Sequence, residues 1–275
     1  MSLFITSLNS GSNGNCYYVG NDKEAVLIDA GISCRETEKR MKRLGLAIES
    51  VKAIFISHEH SDHIKGVEVL SKKFKLPVYI TNATLNNSQL NIGVQYIRTF
   101  RGYENIIVGD LTVKPFPKLH DAADPYSFIV SGNGINIGVL TDIGNACHHV
   151  IENFKNCHAA FLEANYDEEL LETGGYPFYL KKRIRGGHGH LSNVQALEIF
   201  TKHRSENLSH LLLSHLSREN NSPQLVQKLF LEHCGNTKIV VATRDYETEI
   251  YHITGSSKII EPVIKQAAIV QTSLF

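Results

Sequence analysis

Short apolar segments separated by turn-forming residues dominate the first half of the chain. Strand-like runs cover residues 3–8, 16–20, 25–29 and 53–56, and polar stretches rich in Gly, Asn and Ser or in charged residues separate them. The run 53–56 is apolar at every position, which is typical of a strand that is covered on both faces. The pattern therefore predicts a sheet built largely from the N-terminal part of the chain.

Helical and strand-like patterns alternate through the rest of the chain. We predict helices at residues 34–45, 67–74, 144–153, 166–172, 192–204 and 222–233. We predict further strands at residues 77–80, 95–99, 105–117, 126–130, 135–140, 158–162, 209–214 and 238–242, those between 95 and 140 being successive antiparallel strands. Two strand clusters with helices among them indicate an α+β fold in which two sheets pack face to face, with the helices outside.

No low-complexity linker and no internal repeat divides the 275 residues. A chain of this length can bury one sizeable core. We therefore predict a single domain over residues 1–275, with a short C-terminal appendage after about residue 256.

The balance of charges and the placement of the cysteines indicate which binding partners and which cellular compartment to expect. The 28 basic residues equal the 28 acidic ones, so any binding of nucleic acid has to come from a local patch. We find no secretory signal and no apolar run approaching the ~20 residues of a membrane span, which predicts no membrane partner. The five cysteines are scattered and form no CxxC motif, which favours a reducing, cytoplasmic setting. Nothing in the sequence predicts an oligomeric state.

The fourteen histidines are the unusual feature of the composition, and several of them follow the end of an apolar strand. His58, His60, Asp62 and His63 come directly after the run 53–56. Three more candidates follow later strands: His120, Asp142 and His215. A rigid sheet presents such residues with little positional freedom. Imidazole and carboxylate groups together suit zinc, iron or manganese, so the sequence predicts a metal site.

The first of these runs does not match the helical HExxH motif of zinc proteases. His58-Glu59 is followed by Asp62 at the position where that motif requires its second histidine. In an extended loop, His58 and His60 instead turn to one side, and Asp62 and His63 address a neighbouring ion. Burying three histidines and an aspartate so close together would be costly without a metal, which favours ligand roles over purely structural ones.

The order of these residues resembles that of the metallo-β-lactamase superfamily. The pattern His-x-His-x-Asp-His, then a later His, an Asp and a last His, is accompanied by four further segments: Gly-Ser-Asn-Gly-Asn at 11–15, Leu-Ile-Asp-Ala-Gly at 27–31, Thr-Asp-Ile-Gly at 141–144 and Leu-Ser-His-Leu-Ser at 213–217. The resemblance covers roughly residues 3–245. It implies an αββα sandwich, with two mixed β-sheets face to face, helices outside, and a site for two divalent metal ions at one sheet edge.

Carried over to this chain, the resemblance also implies how the ligands divide. One ion would be held by His58, His60 and His120. The second would be held by Asp62, His63 and His215, with Asp142 bridging the pair. The ions would be zinc or manganese, with iron as a further option.

Within the superfamily, the chain resembles the bacterial YycJ/WalJ-type exonuclease family. It has the N-terminal Ser-Gly-Ser-x-Gly-Asn of that group and the segment Leu-Ser-His-Leu-Ser-x-Glu-Asn-Asn at 213–221. Asp142 at the bridging position is similar to the dinuclear hydrolases, and Gly-His-Leu-Ser-Asn at 189–193 is similar to the tRNA 3′-processing endonucleases. The resemblance implies a dinuclear metal-dependent hydrolase of phosphodiester bonds, acting as a 5′-to-3′ exonuclease on DNA.

Two residues are candidates for a direct part in catalysis. Asp62 would orient the attacking water, and His190 would contact the scissile phosphate or protonate the leaving oxygen. A structural role for His190 in its glycine-rich surroundings is the alternative. Candidate contacts with the substrate are Ser12, Asn13, Arg185, Arg218 and Asn220. Arg185 belongs to the basic run 181–185, which serves equally well as a solvated surface, and the loop 9–15 is either a plain turn or a backbone-lined active-site loop.

Other functions use a similar ligand pattern and remain open at this point. A thioester hydrolase of the glyoxalase II type would need a C-terminal helical region for its substrate, and only about 30 residues follow the last predicted core strand here. A non-catalytic metal-binding regulator would be expected to have lost ligands. A flavin-coupled di-iron oxidoreductase usually has glutamate in place of the second histidine of the motif, where this chain has His60.

Overall fold

Two seven-stranded β-sheets form the centre of the molecule in a computed structural model that describes residues 2–255. The strands are β1 Leu3–Asn9, β2 Cys16–Gly20, β3 Ala25–Ile28, β4 Val51–Phe55, β5 Val78–Tyr79, β6 Ile97–Arg98, β7 Ile106–Val108, β8 Leu111–Pro117, β9 Tyr126–Gly132, β10 Ile135–Leu140, β11 Ala159–Glu163, β12 His210–Ser214, β13 Lys238–Val241 and β14 Tyr251–Ile253. The first sheet has the order β14-β1-β2-β3-β4-β5-β6, and the second has the order β13-β12-β11-β10-β9-β8-β7.

Each sheet combines antiparallel and parallel pairs. In the first sheet β14, β1, β2 and β3 are antiparallel, whereas β3 to β6 are parallel. In the second sheet β7 to β10 are antiparallel, whereas β10 to β13 are parallel. Both sheets are therefore mixed, as predicted.

Nine α-helices lie among the described residues. They are α1 Cys34–Arg43, α2 Ser61–Ile64, α3 Val67–Phe74, α4 Asn82–Asn87, α5 His148–Phe154, α6 Glu168–Thr173, α7 Phe178–Arg185, α8 Asn193–His203 and α9 Pro223–Leu231. Side-chain caps set several of their starts. Ser192 and Gln195 form a reciprocal capping box at α8, and Ser222 caps α9, whose first residue is Pro223.

Three buried apolar clusters divide the molecule into four layers. Side chains such as Phe55 and Phe128 fill the space between the two sheets. A second cluster, which includes Phe154 and Phe200, lies between the second sheet and helices α5, α8 and α9. A third, which includes Met41 and Leu70, lies between the first sheet and helices α1 and α3. This is the predicted αββα sandwich, with the helices on the outer faces.

Several local predictions differ from the structure. The run 95–99 was expected to be antiparallel, but β6 pairs in parallel with β5 in the first sheet. The run 105–117 is a hairpin of β7 and β8, because Gly109 adopts a φ of 59° and turns the chain. Helix α7 was read only as a basic run, and α4 and β14 were not predicted, because each is short and weakly patterned.

No described helix is both long enough and apolar enough to cross a membrane. The predicted appendage after about residue 256 lies outside the described residues.

Candidate metal centre

The candidate ligands follow strands that end at one edge of the sandwich. Strands β10, β11 and β12 are parallel neighbours in continuous register. Because the carboxyl ends of parallel strands lie at the same edge of a sheet, Asp142, Glu163 and His215 come together there. Strand β4 of the facing sheet leads into the loop with His58 and then into α2, which begins at Ser61.

Three imidazoles form the first group of candidate ligands. His58 Nε2 lies 3.1 Å from His60 Nδ1. The ring centroid of His120 is 4.8 Å from that of His58 and 5.2 Å from that of His60. One nitrogen of each ring lies within 4.8 Å of the other two. Three converging imidazole nitrogens are a donor set that suits a transition-metal ion with an open coordination position.

A carboxylate and two imidazoles form the second group. Asp62 Oδ2 lies 3.6 Å from His63 Nε2 and 3.5 Å from His215 Nε2. The rings of His63 and His215 are buried, whereas the side chain of Asp62 is 21% exposed. The second group therefore faces solvent on the Asp62 side, where a substrate can approach.

Asp142 lies between the two groups. Its Oδ1 is 3.4 Å from His215 Nε2 and 3.9 Å from His120 Nε2, and its Oδ2 is 3.2 Å from His63 Nε2. The side chain is only 2% exposed, so its carboxylate oxygens are directed at protein groups and not at bulk water. This carboxylate can contact a cation in either group.

One ring nitrogen of each buried imidazole forms a hydrogen bond with a neighbouring protein group, so that the other nitrogen faces the centre. The partners, at 2.7–3.0 Å, are Ser57 Oγ for His58, Asp29 Oδ2 for His63, the carbonyl oxygen of Gly189 for His120, and Glu163 Oε1 for His215. In each case Nδ1 is the nitrogen engaged. Such partners fix the orientation of an imidazole and increase its basicity as a ligand.

Two of the inward-facing nitrogens have no hydrogen-bond partner among residues 2–255. His120 Nε2 and His215 Nε2 are both buried and unpaired in this sense. A buried polar atom without a partner is destabilising, and a bound cation satisfies an imidazole lone pair. The residues of the site therefore fit a pair of divalent ions.

Burial and neighbouring charges shift the pKa values of the carboxylates and imidazoles in the site. Burial alone would raise the pKa of Asp142, but His215 and His63 hold that pKa well below its usual range. Burial would lower the pKa of His215, but Asp142 and the other nearby carboxylates raise it to about 10. At His120, burial prevails and lowers the pKa to about 3. Ionised buried carboxylates require adjacent cations, and divalent ions meet that requirement as imidazolium groups do.

The loop 9–15 belongs to the site, as one of the two sequence interpretations proposed. Asn15 Nδ2 lies 3.1 Å from Asp62 Oδ2 and 3.1 Å from His63 Nε2. Ser10 Oγ accepts the backbone N–H of His215 at 2.7 Å. Sequence reasoning did not single out Asn15, because its contacts are with residues distant in the chain.

Glu163 connects the predicted catalytic residue His190 to the centre. Its Oε1 accepts from His190 Nδ1 at 2.8 Å and from His215 Nδ1 at 2.9 Å. Its Oε2 accepts the backbone N–H groups of Ile143 and Leu191. Both oxygens are thus already engaged, which suits an orienting role. Burial would raise the pKa of Glu163, but His190 and its other partners lower it to about 2.

Two ligand positions have left-handed backbone conformations. Asp142 has a φ of 53° and His215 has a φ of 57°, values that are uncommon outside glycine. Lys118 stabilises the backbone next to Asp142, because its buried ammonium donates to the carbonyl oxygen of Thr141 at 2.7 Å. Burial lowers the pKa of Lys118. Sequence analysis missed Lys118, since a lysine next to a strand end is ordinarily expected to be solvated.

The five predicted substrate contacts are spread around the site. Ser12 and Asn13 are exposed at the tip of the loop 9–15. Arg185, at the end of α7, is exposed and forms an ion pair with Glu172. These three side chains are accessible and do not contact the candidate ligands.

The other two predicted contacts lie beyond His215. Arg218 has a side chain that is 78% exposed. Asn220 is 1% exposed, and its amide nitrogen lies 3.4 Å from Ser217 Oγ. The structure therefore places Arg218 at the surface and Asn220 in the interior.

Comparison with known proteins identifies the family. A model of the beta-lactamase superfamily domain matches residues 24–215. The exodeoxyribonuclease YycJ of Bacillus anthracis is 36% identical over 238 residues, which cover 82% of this chain and 87% of that protein. The chain belongs to the metallo-β-lactamase superfamily, in its YycJ/WalJ family. The exodeoxyribonuclease WalJ of Streptococcus pneumoniae serotype 2 is 32% identical over 223 residues, covering 79% of this chain and 83% of that protein.

A solved structure supports the same fold. The metallo-β-lactamase fold protein YhfI of Bacillus subtilis has a TM-score of 0.71 and 16% identity, covering 92% of this chain and 100% of that one. The predictions of a metallo-β-lactamase αββα fold and of a metal-dependent hydrolase of the nuclease type are confirmed at the level of the YycJ/WalJ family. The superfamily also implies divalent metal ions, in agreement with the clustered donors.

Proposed function

We propose that this chain is a dinuclear metal-dependent exodeoxyribonuclease that degrades DNA in the 5′-to-3′ direction. The observation that carries the proposal is the position of the Asp142 carboxylate, which faces His120 of one donor group and His63 and His215 of the other. Relatives that match most of the chain are named exodeoxyribonucleases, which supports DNA as the substrate.

The donor groups suggest how the ions would be held. We assign His58, His60 and His120 to one ion and Asp62, His63 and His215 to the other, with Asp142 bridging them. The donors are nitrogen-rich in the first group and include more carboxylate oxygen in the second. This mixture suits zinc or manganese, with iron as a further option.

The chemistry follows from this assignment. When bound, two divalent ions supply activation of water and Lewis-acid stabilisation of the charge that develops on phosphoryl oxygens. The partly exposed carboxylate of Asp62 borders the opening of the site and is oriented by Asn15. In our proposal Asp62 orients the attacking water.

His190 is our proposed general acid. The carboxylate of Glu163 binds its Nδ1, which leaves Nε2 available for proton transfer, and the ring lies beside the centre with 20% of the side chain exposed. A protonated Nε2 there would donate to the leaving 3′-oxygen of the scissile bond. Glu163 acts through His190 and His215 and is therefore a positioning residue.

We also propose a reducing, cytoplasmic setting for this activity. All five cysteines are free, and burial raises the pKa of the Cys157 thiol to about 12. Thiols of this kind are small buried apolar groups that have no part in the proposed reaction.

Hydrolysis of end-labelled DNA tests the proposal. The substrates are duplex and single-stranded DNA with labels at the 5′ or 3′ end, together with RNA of matched sequence, each with manganese and with zinc. We expect nucleotides to be released from the 5′ end of DNA only in the presence of a metal. Asp142→Asn should abolish this release, because it removes the charge of the bridging group while keeping its size.

The control variant is Asp22→Asn, which makes the same chemical change at an exposed turn. It should retain the wild-type rate. Release from the 3′ end would overturn the proposed polarity. No cleavage of any nucleic acid by metal-loaded protein would overturn the function, and the same preparation should then be tested with thioesters.

A further inference from the structure

A cationic pocket adjoins the metal centre on the side of His215. It has a volume of about 360 Å³, and its walls include Ser10, Ser217, Arg218 and Arg244. Ser10 also accepts the backbone N–H of His215, and Ser217 lies two residues after that ligand. The pocket and the metal centre therefore share a wall.

Two guanidinium groups converge on this pocket. The side chain of Arg218 is 78% exposed, and Glu219 Oε1 lies 3.8 Å from its Nε. Arg244 is half-buried and donates from Nη2 to the carbonyl oxygen of Leu216 at 2.7 Å. Burial lowers the pKa of Arg244; the Asp245 carboxylate opposes this shift, and the positive charge of Arg218 adds to it. Two like charges that line one pocket are stabilised by an anion between them.

Other groups on the pocket wall favour an anion as well. Pro223, the first residue of the nine-residue helix α9, lines the pocket, so the positive end of that helix dipole lies at the wall. Ser217 Oγ accepts from the backbone N–H and the side-chain amide of Asn220, and its own proton has no acceptor within the described part of the chain. The hydroxyl can therefore donate to a ligand.

One acidic residue of the pocket lining opposes these groups. Asp245 also lines the pocket, and its side chain is exposed at the surface. Among the lining residues two guanidinium groups face one carboxylate, so the lining is net positive, and the Glu219 carboxylate near Arg218 lies outside this lining. A small anion held by this wall would lie beside the metal centre.

We propose that this pocket binds a second phosphate of the nucleic-acid strand, next to the phosphate that is hydrolysed. The inference rests on the proposed nuclease function and adds a substrate-binding site to it. Arginine forms paired hydrogen bonds with two phosphate oxygens, and Arg218 has free donors for such a fork. The bound group is either the terminal phosphate of a 5′-phosphorylated end or an internal phosphodiester.

Binding measured without catalysis tests the pocket directly. The probe is a fluorescein-labelled octathymidylate, with either a 5′-phosphate or a 5′-hydroxyl, titrated with the full chain in the presence of a chelator. Arg218→Gln should weaken binding of the recognised strand about tenfold, the usual effect of losing a charged hydrogen bond. It should also reduce the slope of log affinity against log salt by about 0.7 for one lost phosphate contact on a single strand.

Two further variants separate charge from structure. Arg244→Gln removes the positive charge, so it should weaken binding in the same way. Asp245→Asn removes the opposing charge and should strengthen binding. Lys52→Gln, an exposed residue on β4, serves as the control and should leave the affinity and the salt slope unchanged.

The two oligonucleotides distinguish the sources of the phosphate. A loss confined to the 5′-phosphorylated probe identifies a terminal-phosphate site, and an equal loss for both probes identifies an internal one. If Arg218→Gln leaves the affinity and the salt slope unchanged for both probes, the proposed phosphate site is wrong, whatever the affinity of Arg244→Gln. This outcome differs from failure of the nuclease function, in which metal-loaded wild-type protein cleaves no DNA.

Discussion

The side-chain amide of Asn15 lies 3.1 Å from the Asp62 carboxylate and 3.1 Å from the ring of His63. One residue of the N-terminal loop thus contacts two candidate ligands of the second metal ion. The backbone reinforces this contact, because Asn15 N donates to the carbonyl oxygen of Asp62 at 2.7 Å. The loop and α2 therefore position the second donor group together.

Replacing Asn15 should weaken that metal site selectively. In Asn15→Ala the Asp62 carboxylate loses its orienting partner, and we expect about 10–100-fold weaker binding of one of the two ions. Competition with a chromophoric chelator measures both affinities. Asn13→Ala, in the same loop but exposed, is the control and should bind both ions normally. Equal weakening of both sites in Asn15→Ala would contradict the assignment.

Loss of the proposed general acid should depend on the leaving group. His190→Ala should lower kcat on DNA by about 10²–10⁴-fold, because the leaving 3′-oxygen then departs without a proton. Hydrolysis of bis(p-nitrophenyl) phosphate should change far less, since nitrophenolate needs no protonation. A parallel loss on both substrates would show that His190 supports the site structurally. His188→Ala, at an exposed neighbour, should retain both activities.

Glu163→Gln examines the partner of that histidine. The variant retains the size of the side chain but removes the charge that binds His190 and His215. We expect kcat on DNA to fall and the limb of the pH–rate profile that reports the general acid to move to lower pH, because a neutral partner stabilises imidazolium less. A profile of unchanged shape would contradict this role.

A β-carbon at position 31 would collide with the metal-binding loop. On Gly31 it would lie 1.6 Å from the carbonyl oxygen of Asp62. Gly31→Ala should therefore displace α2 and lower the free energy of unfolding by about 1–3 kcal/mol or more. Urea unfolding and metal stoichiometry measure the two effects. Gly175→Ala, where a β-carbon meets no atom within 4 Å, should change neither.

A buried histidine away from the ligands should make stability pH-dependent. Burial lowers the pKa of His210 to about 4, and its ring packs 5.2 Å from that of Tyr251. The unfolded chain binds a proton near pH 6.5 whereas the folded protein does not, so stability should fall as the pH drops from about 6.5 to about 4. The slope from this group is at most about 1.4 kcal/mol per pH unit.

The variant His210→Gln should flatten that slope relative to wild type in urea unfolding at several pH values. His252→Gln on β14 removes an exposed histidine and should leave the slope as it is. An unchanged slope in His210→Gln would show that His210 does not contribute to the pH dependence.

Much of the architecture was predictable from the sequence because it depends on local periodicity. The apolar stretches 53–55 of β4 and 211–213 of β12 are buried at every position and have to be covered on both faces, which requires two sheets with outer helices. Elements with weak local signals were not predictable. Strand β6 has only two residues, and its parallel pairing depends on the position of β5.

The chemical types at the candidate site were likewise visible in the sequence, because the ligand motif lies in a few short segments. Its assembly was decided by the tertiary structure. Parallel strands bring Asp142, Glu163 and His215 to one edge, although their positions in the chain are far apart. The contacts of Asn15, Lys118 and Arg244 also join distant segments, and a linear sequence carries no local signal for such contacts.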